Sequence, residues 1–127
     1  MFLARSPVAF NGRGPLVVVA TAFLALAGCQ YANTKEKAYV AAMKADLRNL
    51  VTAEEAYFKD NVTYASSTAN LYYVTSSGNS VRIVEASGTG WSATATSMAT
   101  GETCAIYVGS ASPPQRGRSV EAQPYCR

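Results

Sequence analysis

Cys29 marks a seam between two kinds of sequence. Residues 16–28 form an apolar run of 13 positions, preceded by Arg5 and Arg13 and by no acidic residue. A helix that crosses a bilayer core needs roughly 20 apolar residues. A basic stretch followed by a short apolar one is the pattern of an export signal, and the run fits that pattern better than a membrane span. Cleavage before Cys29 would remove 28 of the 127 residues and leave 99. The chain then divides into a signal or anchor segment (1–28), an attachment site with a short linker (29–33) and one domain (34–127).

Removing the first segment also changes the charge. The whole chain is +3 at pH 7, but Arg5 and Arg13 supply two of those charges. What remains is close to neutral, so the basic balance reports orientation at a membrane rather than a footprint for nucleic acid. Of the three cysteines, Cys29 sits at the end of the apolar run, where attachment of lipid would consume it. Cys104 and Cys126 are left as an even pair in an exported domain, where an oxidising compartment lets them form a disulfide.

Residues 34–61 read as one amphipathic helix. At 100° per residue, Val40, Met43, Leu47, Leu50, Val51, Tyr57 and Phe58 fall within an arc of about 120°, the stripe of a helix packed on another element. Asn33 and Glu36 have the spacing of a capping box. Lys35 and Lys37 oppose the helix dipole, Glu55 and Lys59 form a favourable i,i+4 pair, and Asp60-Asn61 supplies a stop. Glu54 falls inside the apolar arc, where an unpaired carboxylate is costly. Two readings are open for it. Either its partner is supplied by another subunit, or the side chain reaches water or a backbone N–H at the helix margin.

Beyond a polar connection at 61–70, apolar or alternating segments at 71–75, 81–86, 91–98 and 103–108 are separated by short turn sequences. That spacing predicts antiparallel hairpins. Trp91, Ala93, Ala95 and Ser97 share one face. Val81 and Ile83 share another, with Glu85 next in phase. One side of such a sheet covers the helix stripe while the other faces solvent or a neighbour. The expected fold is therefore α+β, a long N-terminal helix on a roughly four-stranded antiparallel sheet. Residues 109–127 are rich in turn formers. A Cys104–Cys126 bridge would close this tail and contribute roughly 3 kcal/mol in the chain-entropy model, which matters in a small domain. Arg116 and Arg118 lie in the closed loop and read as solvated charges.

Two resemblances follow from these residues. Leu26-Ala27-Gly28-Cys29 resembles the lipobox of bacterial lipoproteins, which implies acylation of Cys29, with Gln30 at the next position implying the outer membrane in a two-membrane cell. Gln30-Tyr31 with Asn33, then Glu55-Ala56-Tyr57-Phe58, Asn61 and Tyr64, resemble the helix by which type IV pilins and pseudopilins enter their head domain. The run Trp91-Ser92-Ala93-Thr94-Ala95-Thr96 and the segment Cys104-Ala105-Ile106-Tyr107-Val108-Gly109 with Cys126 resemble the pilin sheet and its disulfide-closed C-terminal loop. This likeness spans residues 30–127 and implies a structural subunit of a surface filament or secretion pseudopilus. The front departs from the pattern. Gly14 is followed by Pro15, Val19 stands where pilins carry a glutamate, and no acidic residue precedes Glu36.

The expected function is a non-enzymatic, pilin-like structural or interaction protein of the bacterial envelope, lipid-anchored and associated with a pilus or secretion machine. The alternative is a degenerate minor pilin that still enters a filament. The expected partners are the membrane, through acylated Cys29 or the apolar segment, and pilin or secretion subunits. Enzymatic roles are poorly served. The chain has no histidine, which removes His-based triads and most zinc sites, and no phosphate-cradling glycine motif occurs. No metal or cofactor is expected. Capture of single-stranded nucleic acid by its eight tyrosines and few arginines has suitable chemistry, but the near-neutral charge argues against it.

Overall fold

The computed structural model describes the backbone of residues 13–127 and the side chains of residues 33–127. The chain divides into two compact units, Met1–Lys35 and Glu36–Arg127. In the first, the described structure is helical backbone. Residues 1–12 with Arg5, and the side chains of the apolar run and of Cys29, lie outside the described residues.

Helix α1 spans Arg13–Asn61, starting some twenty residues before the sequence pattern at 34–61 suggests. Pro15 sits in its first turn, where a missing N–H costs nothing, and the Ala-, Leu- and Val-rich stretch that follows contains no further proline. Asn33 and Glu36 are consequently interior to the helix and form no capping box, and the backbone of residues 29–33 is helical. The helix ends where Asp60-Asn61 places it. The Asn61 side-chain amide donates to the Tyr57 carbonyl at 2.9 Å, satisfying one of the last orphan acceptors. Lys59 in the last turn suits the dipole. Val62 follows in the left-handed conformation, φ 56°, a position usually taken by glycine because a β-branched side chain is strained there.

The second unit adds a short 3₁₀ turn at Thr68–Asn70 and a four-stranded antiparallel sheet, β1 Asn79–Ala86, β2 Gly90–Ser97, β3 Thr103–Gly109 and β4 Tyr125–Cys126, in the order β1-β2-β3-β4. One face of α1 packs on it. Met43, Leu47 and Leu50, three and four residues apart, are fully buried with Ile83, Trp91, Ala93, Ala95, Cys104 and Ile106. Val40, Val51 and Val81 are part-buried against this cluster. Burying each large side chain contributes about 1.5–3 kcal/mol, and the small residues Ala93 and Ala95 allow the helix and sheet to approach closely.

Four features differ from the sequence expectation. Residues 71–75 alternate correctly, Leu71 and Tyr73 inward and Tyr72 and Val74 outward, but they pair with no strand. The Tyr73 hydroxyl instead donates to the Asp46 carbonyl of α1 at 2.9 Å. β1 carries a bulge between Ile83 and Glu85, so Ala86 and not Glu85 returns to the core. The fourth strand is Tyr125–Cys126, in register with Cys104 and Ala105. The far face of the sheet is partly covered as well. Ser92 points away from α1 yet is fully buried. Its cross-strand neighbours Glu85 and Tyr107 hold the C-terminal segment, Glu85 by accepting from the Ser112 amide and the Tyr107 carbonyl by accepting from the Ala122 amide.

The Cys104–Cys126 disulfide joins β3 to β4 across directly paired positions. The segment it closes is fastened further by the Gly109 amide to the Glu121 carboxylate at 2.7 Å and by the Gln115 amide to the Thr103 carbonyl at 2.8 Å. Gly90 and Gly109 face each other across β2 and β3. Gly109 has φ +65°, and a Cβ there would strike the Thr89 carbonyl oxygen. Glycine at that position lets the C-terminal segment leave the sheet against the β1–β2 turn.

Candidate functional site

The most unusual chemistry in the second unit lies on the buried face of α1, where two carboxylates are enclosed. Glu54 follows Leu47 and Leu50 along the same face and is fully buried. One oxygen accepts from the Ala65 backbone N–H at 2.7 Å. The other, Oε1, has no hydrogen-bond partner among the described residues. Burial raises the pKa of this carboxyl to about 7; the Ala65 N–H opposes the rise and the neighbouring Glu55 charge adds to it. The group is thus poised to exchange a proton near neutrality. Among the described residues its one hydrogen-bond partner is a backbone N–H of its own chain.

The turn that supplies Ala65 folds back on the end of the helix. Tyr64 stacks on Phe58 with ring centroids 4.7 Å apart, its hydroxyl donates to Glu55 at 3.3 Å, and its backbone N–H donates to the Ser87 carbonyl. Burial, with the charges of Glu55 and Glu54, raises the Tyr64 pKa above the usual phenol value. Phe58 thus meets the returning turn. Tyr57 is part-buried beside Leu71 and Tyr72. Among the expected packing residues, Val40, Met43, Leu47, Leu50 and Val51 meet the core that α1 shares with the sheet, and Tyr57 and Phe58 lie beyond it.

Asp46 is the second enclosed carboxylate, 2% exposed. Oδ1 accepts from the Ser76 backbone N–H at 3.0 Å and from the Ser76 hydroxyl at 2.7 Å, and Oδ2 accepts from the Asn79 amide at 2.7 Å. With Tyr73 on its backbone carbonyl, this one residue latches residues 73–79 and the start of β1 to the helix. Sequence reasoning did not single it out. At 100° per residue it falls about 20° outside the apolar arc, and its partners lie 27 to 33 residues away. Burial and the Asp46 charge push the Tyr73 pKa well above the usual phenol value.

Arg116 and Arg118 are exposed on the disulfide-closed segment. Among the described residues, no group of three or more His, Cys, Asp or Glu could hold a metal ion, and no helix is long and apolar enough to cross a membrane. No protein-family model matches this chain, and no curated protein matches it significantly.

Proposed function

We propose that this chain is a pilin-like structural or interaction protein of the bacterial cell envelope, without enzymatic activity, anchored through acylated Cys29 and accessory to or derived from a type IV pilus or type II secretion pseudopilus. The observation that carries this reading is the α1 helix laid on a four-stranded antiparallel sheet whose C-terminal segment is closed by Cys104–Cys126. The disulfide suits an exported protein, and the lipobox-like Leu26-Ala27-Gly28-Cys29 supplies the anchor.

A second reading, a degenerate minor pilin that enters a surface filament, draws support from one feature. Helix α1 runs unbroken through Cys29, from Arg13 to Asn61, and a filament core needs a continuous helix at that place. Intact mass of the membrane-extracted protein separates the two, with Cys29→Ser as control. A mass equal to residues 29–127 plus acyl chains, abolished by the substitution, supports the lipoprotein. An unacylated chain that retains residues 16–28 overturns it in favour of the filament subunit.

A further inference from the structure

Beside the buried face of α1 lies an open groove of about 280 Å³, between the last turns of the helix and the segment after the 3₁₀ turn. Ala53, Ala56 and Leu71 supply its apolar part. Tyr57 and Tyr72 are among its lining residues, and Tyr72 is fully exposed. Apart from the two phenols, the ionisable group among the described lining residues is the Asp60 carboxylate. Asn61 and Asn70 complete the lining.

The charge pattern selects the occupant. The groove sits on the C-terminal turns of α1, where aligned peptide dipoles leave a partial negative charge, and Asp60 adds a full one. Lys59, the nearest cation in sequence, is about 100° around the helix from Asp60 and is absent from the lining. Anions are therefore disfavoured. A bare metal ion would find a single carboxylate here. Two tyrosines and a carboxylate beside apolar residues instead suit a cation with its own apolar surface, which aromatic rings attract through their quadrupoles and the carboxylate through its charge.

We propose that this groove binds an organic ammonium ion, a methylated or alkyl amine head placed between Tyr57 and Tyr72 and paired with Asp60. The proposal stands apart from the envelope reading, since it rests on the lining of the groove alone.

The test is saturation-transfer NMR on the full chain in an uncharged polyoxyethylene detergent, with choline as the probe and 3,3-dimethylbutan-1-ol as its uncharged isostere. Choline is expected to bind saturably and the isostere at least tenfold more weakly. Tyr72→Ala should weaken choline binding about two- to fivefold, and Asp60→Asn should weaken it while narrowing the gap between choline and its isostere. Tyr72 and Asp60 are exposed and their side chains make no hydrogen bond among the described residues. Both variants should therefore fold, which unchanged emission of the buried Trp91 verifies. Absence of choline binding, equal binding of the isostere, or displacement of choline by glucose as by an amine would each overturn the proposal. The last result would reassign the groove to saccharides held by Asn61 and Asn70.

Discussion

Replacing Glu54 by glutamine should abolish the fall in stability that this carboxyl imposes between pH 4.5 and 7. The carboxyl has an ordinary value near 4.5 in the unfolded chain and about 7 in the folded one. Below 4.5 it is protonated in both states, and its contribution is fully present. Between 4.5 and 7 the unfolded chain gives up the proton while the folded chain holds it, so stability falls as the pH rises. Above 7 both states are ionised and the loss is complete. At about 1.4 kcal/mol per pH unit, a gap of that size corresponds to about 3 kcal/mol. For a unit of this size that is a shift of upwards of 10 °C in the melting midpoint. Glutamine keeps an oxygen for the Ala65 N–H and cannot ionise. Thermal unfolding of the full chain and of Glu54→Gln, followed by emission of Trp91, the single tryptophan and fully buried, should be recorded from pH 4 to 8. The difference between the two profiles isolates this group, because titrations elsewhere cancel. The wild-type midpoint should fall relative to the variant across that range, and the variant should be the more stable protein at pH 8. Parallel profiles would refute the argument, because they would mean that Glu54 is solvated or paired in the folded state.

Three further outcomes are expected. Cys104→Ala with Cys126→Ala should lower stability by about 3 kcal/mol in urea unfolding and should speed amide exchange at Thr103 and Arg127, which pair with each other across β3 and the chain end. Asp46→Ala leaves the Ser76 amide and hydroxyl and the Asn79 amide without their acceptor. Each hydrogen bond to a charged group is worth about 1.5–3 kcal/mol, so a loss of at least 3 kcal/mol is expected, with hydrogen exchange rising first at Ser76. Val62→Gly relieves a β-branched residue in the left-handed region and should stabilise the chain by about 1 kcal/mol, read as an upward shift of the same Trp91 melt.

Much of this architecture is legible because it rests on local periodicity. The 3.6-residue spacing of Met43, Leu47 and Leu50 identifies the buried helix face, and the alternation of Trp91, Ala93 and Ala95 identifies the sheet face that meets it. What escaped the pattern depends on single long-range bonds. Asp46 looks like an ordinary polar residue at the edge of the stripe until Ser76 and Asn79 arrive from 30 and 33 residues away. The same bonds hold residues 71–75 against the helix, although their alternation is that of a strand. β4 is two residues long, too short for any periodicity, and it is defined by its cysteine. The early start of α1 escaped because the change in polarity at Cys29 suggests a boundary that the backbone does not observe. Glu54 stood out as an anomaly, but nothing local pointed to Ala65 as its partner.

The bulge in β1 has a consequence for behaviour in a crowd. β1 is the long outer strand of the sheet, eight residues from Asn79 to Ala86, and an unpaired strand edge is a template on which a second chain can add. The break in register between Ile83 and Glu85 twists that edge and interrupts its ladder of donors and acceptors, while Arg82 and Glu85 stand exposed along it. An incoming strand would find at most five regular positions before the mismatch, from Asn79 to Ile83. The bulge, with Arg82 and Glu85 exposed beside it, disfavours pairing of this edge with the edge of a second sheet.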